Sequence, residues 1–351
     1  MDTAVENTWN AADSTNVAGA LSWQAERQPN ATAIHYPESG SFGKVRYKSC
    51  SYQELDRLSD TYARGLQEYG ITRGTRTALM LTPGLEFFAV FFALFKAGAV
   101  PVLIDPGIGM KPLKACLAEA APKAFIGVTK AHLARKILGW AKETCELMVT
   151  AGPRLGMGGI SLKKLRKLGA TSSAEVPQPV EPNDMAAILF TSGSTGVPKG
   201  VVYRHRHFNA QVRLLQSAFN IQPGEVSLPT FPPFALFDPA LGMTTVVPDM
   251  DPTRPAEADP EKLIAAIRQF KVTNIFGSPA LLNTLSNHCV DRKIRIESIT
   301  RVISAGAAVP IRTIRRMQKS LYQDAEIHTP YGATECLPVS SISATELDDR
   351  M

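Results

Sequence analysis

Two short stretches carry residue types suited to phosphate chemistry. The first, FTSGSTGVPKG at residues 190–200, holds three glycines, two serines, two threonines and a single cation, Lys199. Glycines allow backbone N–H groups to crowd around an anion, hydroxyls add donors, and lysine supplies a mobile point charge. The second, YGATE at residues 331–335, sets a carboxylate directly after a threonine, so a metal ligand stands beside a phosphate donor. Taken alone, each has a plain reading: a Ser/Gly-rich surface hairpin, and an exposed loop acid.

The first stretch follows the apolar run MAAILF, which places it at the carboxyl edge of a sheet, where ligands of open α/β folds gather. It is not a Walker loop. The spacing differs, Pro198 directly precedes Lys199, and the following GVVYR reads as a strand rather than a helix start. The loop is therefore expected to join two strands as a flap.

Further along, strand-like and helix-like stretches alternate. TRTALML, VPVLI, KAFIGV, ELMVT, MAAILF, VTNIFG and TRVISAG read as short strands, most of them separated by helical segments. This pattern predicts an α/β fold with mostly parallel sheets flanked by helices. EFFAVFFALFKAGAVPVLI is the most apolar run, but Lys96, Gly98 and Pro101 interrupt it. A buried helix and strand fit it better than a membrane span. KLGATSSAEVPQPVEPND, residues 167–184, reads as an exposed connection between a first lobe at 1–180 and a second at 181–351.

The 351 residues, 44% hydrophobic and 20% charged, suit a soluble globular protein with an ample core. Five scattered cysteines without a CxxC pair point to reduced thiols and a cytoplasmic location. The net charge is +6, and its densest sources are KKLRK, RHRH and RKIR, short patches without interleaved aromatics. They read as solvated faces rather than a nucleic-acid surface. Six histidines form no HxxxH or HExxH, which removes a metal hydrolase from consideration, and His205, His207 and His328 are read as structural.

FTSGSTGVPKG and YGATE together resemble the signatures of the adenylate-forming (AMP-binding) superfamily: acyl-CoA synthetases, peptide-synthetase adenylation domains and luciferases. FKAGAVPVLIDPG and ISAGAAVP are similar to further motifs of that family, and the likeness covers most of the chain. It implies that Thr191, Ser192, Gly193, Ser194, Thr195, Gly196 and Lys199 wrap the β- and γ-phosphates of ATP. It also implies Thr334 at the α-phosphate, Glu335 as the Mg2+ ligand, and Tyr331 stacked on adenine within a motif that includes Gly332 and Ala333. Gly306, Ala307 and Ala308 would meet the opposite edge of the base. Lys199, Thr334 and Glu335 would then be the catalytic set of one Mg-ATP site. A carboxylate attacking phosphorus meets like charge, which Mg2+ and Lys199 must neutralise.

FPPFALFDPALGM, residues 231–243, resembles in position the family's acyl pocket. Phe234 and Phe237 would form its wall, with Asp238 near the mouth to take a hydroxyl proton; plain core is the competing reading. The surrounding stretch looks most like the enzymes of bacterial long-chain olefin biosynthesis, which activate a 2-alkyl-3-hydroxy fatty acid and close it to a β-lactone. The implied partners are a fatty-acid substrate and other enzymes of that pathway. A long-chain fatty-acyl-CoA or acyl-AMP ligase is the alternative, with coenzyme A required only there; a non-catalytic nucleotide-binding protein of the same fold is the second. In the family, a ribose-binding aspartate, a hinge and a lid carrying a catalytic lysine follow YGATE. CLPVSSISATELDDRM resembles none of these, so a truncated second lobe, no lid domain and a weak catalyst are expected.

Overall fold

The computed structural model describes residues 15–39, 45–191 and 198–348. Its strands are β1 (Thr32–Ser39), β2 (Val45–Ser51), β3 (Arg76–Met80), β4 (Val100–Ile104), β5 (Ala124–Val128), β6 (Leu147–Ala151), β7 (Ile160–Ser161) and β8 (Met185–Thr191). They continue with β9 (Lys199–Arg204), β10 (Val226–Pro229), β11 (Thr244–Val246), β12 (Asn274–Gly277), β13 (Arg301–Ser304), β14 (Glu326–Ala333) and β15 (Cys336–Ser343). Two mixed sheets with flanking helices result, as the alternating pattern predicts.

The residues part into two compact units, Met1–Asn30 with Tyr52–Leu214, and Ala31–Ser51 with Leu215–Met351. This differs from a division at 180/181. Residues 172–184 lead from the helix Leu162–Thr171 back into the same sheet at β8, whose Leu189 pairs with Leu103 of β4. The low-complexity stretch is thus a connection inside one unit. Composition marks exposure, and strand pairing decides membership.

The first unit carries the sheet β7-β6-β5-β3-β4-β8-β9, parallel except for the β8–β9 pair. The apolar helix Leu85–Lys96 is buried from Phe87 onward. Its terminal charge is accommodated because Lys96 Nζ donates to Asp56 Oδ1 at 2.6 Å and to Asp60 Oδ1 at 2.5 Å. Among the described residues, no helix is long and apolar enough to cross a membrane. The helices Tyr52–Glu68 and Leu162–Thr171 approach closely at Gly65 and Gly169, where added Cβ atoms would strike the carbonyls of Leu165 and Thr61.

The second unit carries the sheet β15-β14-β13-β12-β10-β11-β1-β2, parallel in its middle and antiparallel at both ends. Side chains alternate between its faces. Leu228, Val246, Ile275, Val302 and Ile327 join one apolar core with Ile264, Leu282 and Ile314 of the covering helices. Their neighbours Ser227, Thr245, Asn274 and Arg301 therefore face the other way. That second face positions the site.

Candidate active site

In the first unit, β8 and β9 are antiparallel neighbours, and Thr191 pairs with Lys199. The glycine-rich stretch thus joins two strands, as its sequence predicts. Ser192, Gly193, Ser194, Thr195 and Gly196 lie outside the described residues, and so does the side chain of Thr191. Lys199 is exposed, with no ion pair among the described residues. The next amide, Gly200 N–H, donates to Glu119 Oε1 at 3.1 Å and holds the start of β9.

In the second unit, the two remaining stretches read as nucleotide motifs come to one sheet edge. β13 and β14 run parallel, with Ile303 opposite His328, so the segments that follow share the carboxyl end. Gly306, Ala307 and Ala308 are exposed directly beyond β13. Gly306 adopts φ +95°, a conformation that disfavours a side chain, and a Cβ there would meet open space. Tyr331 is 72% exposed, which leaves its ring free to stack. Gly332 and Ala333 complete β14, and Thr334 with Glu335 form the turn into β15, closed by the Ala333–Cys336 pair.

The Glu335 carboxylate is exposed and makes no ion pair among the described residues. No cluster of three or more His, Cys, Asp or Glu side chains could hold a metal among those residues. A single free carboxylate fits Mg2+, which keeps several waters and binds through one or two carboxylates together with substrate phosphates.

A cavity of about 50 Å3 lies on the polar-row face of the same sheet. Phe234, Phe237 and Asp238 all line it, with Pro229, Phe276, Ile303, Ala305 and Pro330. Phe234 stacks on Phe276 with ring centroids 4.0 Å apart, which stiffens that wall. Ala305 and Pro330 immediately precede Gly306 and Tyr331, so the cavity reaches the edge where the nucleotide motifs sit.

Asp238, expected near the mouth, is buried below that edge. It accepts from Thr245 Oγ1 at 3.2 Å and from the Ser227 hydroxyl. Ser227 pairs with Asn274, three residues before Gly277, which pairs with Ser304 at the end of β13. Three residues of strand place Asp238 roughly 10 Å below the carboxyl edge. Burial pushes its carboxyl up to about 8, against the hydrogen bonds of Ser227 and Thr245, which pull it down. At neutral pH it is mostly uncharged.

Residues 21–351 match the family described as AMP-binding enzyme. The chain belongs to the AMP-binding enzyme family. This AMP-binding enzyme is 53% identical over 336 residues to the olefin beta-lactone synthetase of Stenotrophomonas maltophilia, matching 95% of the chain and 60% of that protein. It is 51% identical over 335 residues to the protein of the same name from Xanthomonas campestris pv. campestris, at 95% and 59%. The chain thus spans about 60% of the length of these relatives. Its fold matches the long-chain-fatty-acid-CoA ligase FadD1 of Archaeoglobus fulgidus with a TM-score of 0.80 at 21% identity, over 95% of this chain and 67% of that one.

Of the sequence-derived candidates, Gly306, Ala307, Ala308, Tyr331, Gly332, Ala333, Thr334 and Glu335 gather at one edge of the second unit. Phe234, Phe237 and Asp238 share its cavity, and Lys199 stands in the first unit. Two of the histidines read as structural, His205 and His328, pack within the fold. His205 is buried, its Nδ1 accepts from Val17 N–H at 3.3 Å, and burial lowers its pKa to about 4. His328 packs against Phe219 at 5.2 Å. The polar row Thr245, Ser227 and Asn274 escapes a reading by motif. Its members sit on three short strands, VSLP, TTV and NIFG, with nothing in the spacing that links them.

Proposed function

We propose that this AMP-binding enzyme activates a carboxylic acid with ATP, and that the acid is a 3-hydroxy fatty acid subsequently closed to a β-lactone. One observation carries the first half: an apolar cavity begins at Ala305 and Pro330, one residue before Gly306 and Tyr331. An acid seated there presents its carboxylate toward the nucleotide edge. The olefin beta-lactone synthetases at 53% and 51% identity support the second half.

In the first step a carboxylate oxygen of the acid attacks the α-phosphorus of ATP. The α–β phosphoanhydride bond breaks and pyrophosphate leaves. Lys199 and the hydroxyls of the glycine-rich stretch are assigned to the phosphate tail, and Thr334 donates to the α-phosphate. Tyr331 stacks on adenine, whose other edge meets Gly306, Ala307 and Ala308. Glu335 would hold Mg2+, which supplies the positive charge that the attacking carboxylate and the phosphates need. In the second step the 3-hydroxyl oxygen attacks the acyl carbon, the bond from that carbon to the phosphate oxygen breaks, AMP departs, and the hydroxyl proton passes to solvent. Tethering makes this attack intramolecular, with effective concentrations on the order of 10^5 M in favourable cases. Asp238 is not assigned the hydroxyl proton, because it accepts from Thr245 and Ser227 below the carboxyl edge, whereas the hydroxyl lies two carbons from the reacting carboxyl.

The test is product analysis. A 2-alkyl-3-hydroxy fatty acid with Mg-ATP is expected to yield AMP, pyrophosphate and a β-lactone without coenzyme A. Strict dependence on coenzyme A, with a thioester as sole product, establishes a fatty-acyl-CoA ligase instead.

A further inference from the structure

The cavity face of the second sheet changes character abruptly along its strands. From the carboxyl edge downward it is apolar: Ala305, Pro330, Ile303, Phe276 and Pro229. One level below, four neighbouring strands present a continuous polar row, Thr245, Ser227, Asn274 and Arg301, paired in register across β11, β10, β12 and β13. All four are buried, at 0%, 1%, 3% and 8% exposure.

The row is tied together and tied down. Thr245 and Ser227 donate to Asp238, and Asn274 Nδ2 donates to Ser227 Oγ at 3.2 Å. Arg301 is locked by Glu225 Oε2 at 2.5 Å and by the carbonyl of Asn220 at 3.1 Å. These side chains cannot withdraw singly without breaking a bond in a place that water does not reach. Asn274 is the member of the row that lines the cavity, and its Oδ1 is already buried without a partner.

We propose that the Asn274 side chain, held by Ser227, is the floor that sets how far the acyl chain of the substrate can enter. The proposal rests on the acid-activation reading of the same cavity. An alkyl chain descending from the carboxyl edge gains by burying each methylene against Ile303, Phe276 and Phe234. At the Asn274 level the next methylene must displace hydrogen-bonded groups and strand them, which costs more than burying one methylene contributes. The chain therefore ends about 10 Å below the edge, three residues of strand. Asn274 is a specificity-determining residue and takes no part in the reaction at phosphorus.

The experiment uses the full-length protein and a series of unbranched acids of increasing length, measured by acid-dependent exchange of labelled pyrophosphate into ATP. Asn274→Ala removes the floor and is expected to raise kcat/KM for acids two methylenes beyond the wild-type limit roughly tenfold. Asn274→Gln raises the floor and is expected to move the limit to shorter acids. Should Asn274→Ala fail to fold, as judged by its thermal melt, the shift in Asn274→Gln decides the question. An unchanged length profile in a folded variant overturns the floor, while wild-type exchange shows that activation itself stands. Wild-type protein that exchanges with no acid overturns the activation reading, and the floor with it.

Discussion

Ser227 and Asn274 stand opposite each other on parallel neighbouring strands, and the Asn274 amide donates to the Ser227 hydroxyl at 3.2 Å. Ser227 in turn serves Asp238, so one small side chain supports two buried polar groups.

Replacing Ser227 by alanine is therefore expected to destabilise the protein by about 1–3 kcal/mol, the cost of leaving buried polar groups unpaired. Ser340, exposed on β15, is the control, and its alanine variant should stay within about 0.5 kcal/mol of wild type. Denaturant unfolding of both variants checks this. Equal stability would show that Asp238 and Asn274 find other partners.

Asp238 makes a pH prediction whose sign is opposite to that of an ordinary paired aspartate. Burial raises its folded pKa to about 8, whereas an unfolded aspartate titrates near about 3.9. Between those values the folded chain holds one proton more than the unfolded chain. The Asp238 contribution is therefore fully present below pH ~4 and declines by up to about 1.4 kcal/mol per pH unit until pH ~8. Asp238→Asn should be less pH-sensitive across that window. Parallel stability curves for the two proteins would contradict the buried neutral carboxyl.

Lys199 and Glu335 are both exposed and free of ion pairs among the described residues, so their replacement should spare the fold. Lys199→Ala and Glu335→Gln are each expected to lower pyrophosphate exchange by on the order of 10^2- to 10^3-fold, the usual loss for one positioned electrostatic group. Melting temperatures should remain at the wild-type value. Exchange within twofold of wild type would remove that residue from the nucleotide site.

Tyr331 is 72% exposed before any nucleotide binds, an unfavourable place for an aromatic ring without a partner. Tyr331→Ala should raise KM for ATP by roughly 5- to 150-fold, corresponding to about 1–3 kcal/mol of base stacking, with smaller effects on kcat. Tyr331→Phe should retain most of the affinity. A change confined to kcat would argue against stacking.

Much of this was legible from residue order alone. The β-branched runs at Val100–Ile104, Ala124–Val128 and Met185–Thr191 became strands because their alternating and continuous apolar patterns are local properties. FTSGSTGVPKG and YGATE stand out as candidates for phosphate chemistry because glycine, hydroxyl and charge are contiguous there. What the sequence by itself could not decide is which strands become neighbours. Thr245, Ser227, Asn274 and Arg301 lie as many as 74 positions apart, and only the order β11-β10-β12-β13 sets them in one row. The same pairing carried β8 and β9 into the first sheet across a Pro/Ser-rich stretch that looked like a boundary, and it set Thr245 and Ser227 side by side, where both bond Asp238. Depth within a cavity depends on the register between strands, and register is a property of the assembled sheet that no single segment encodes.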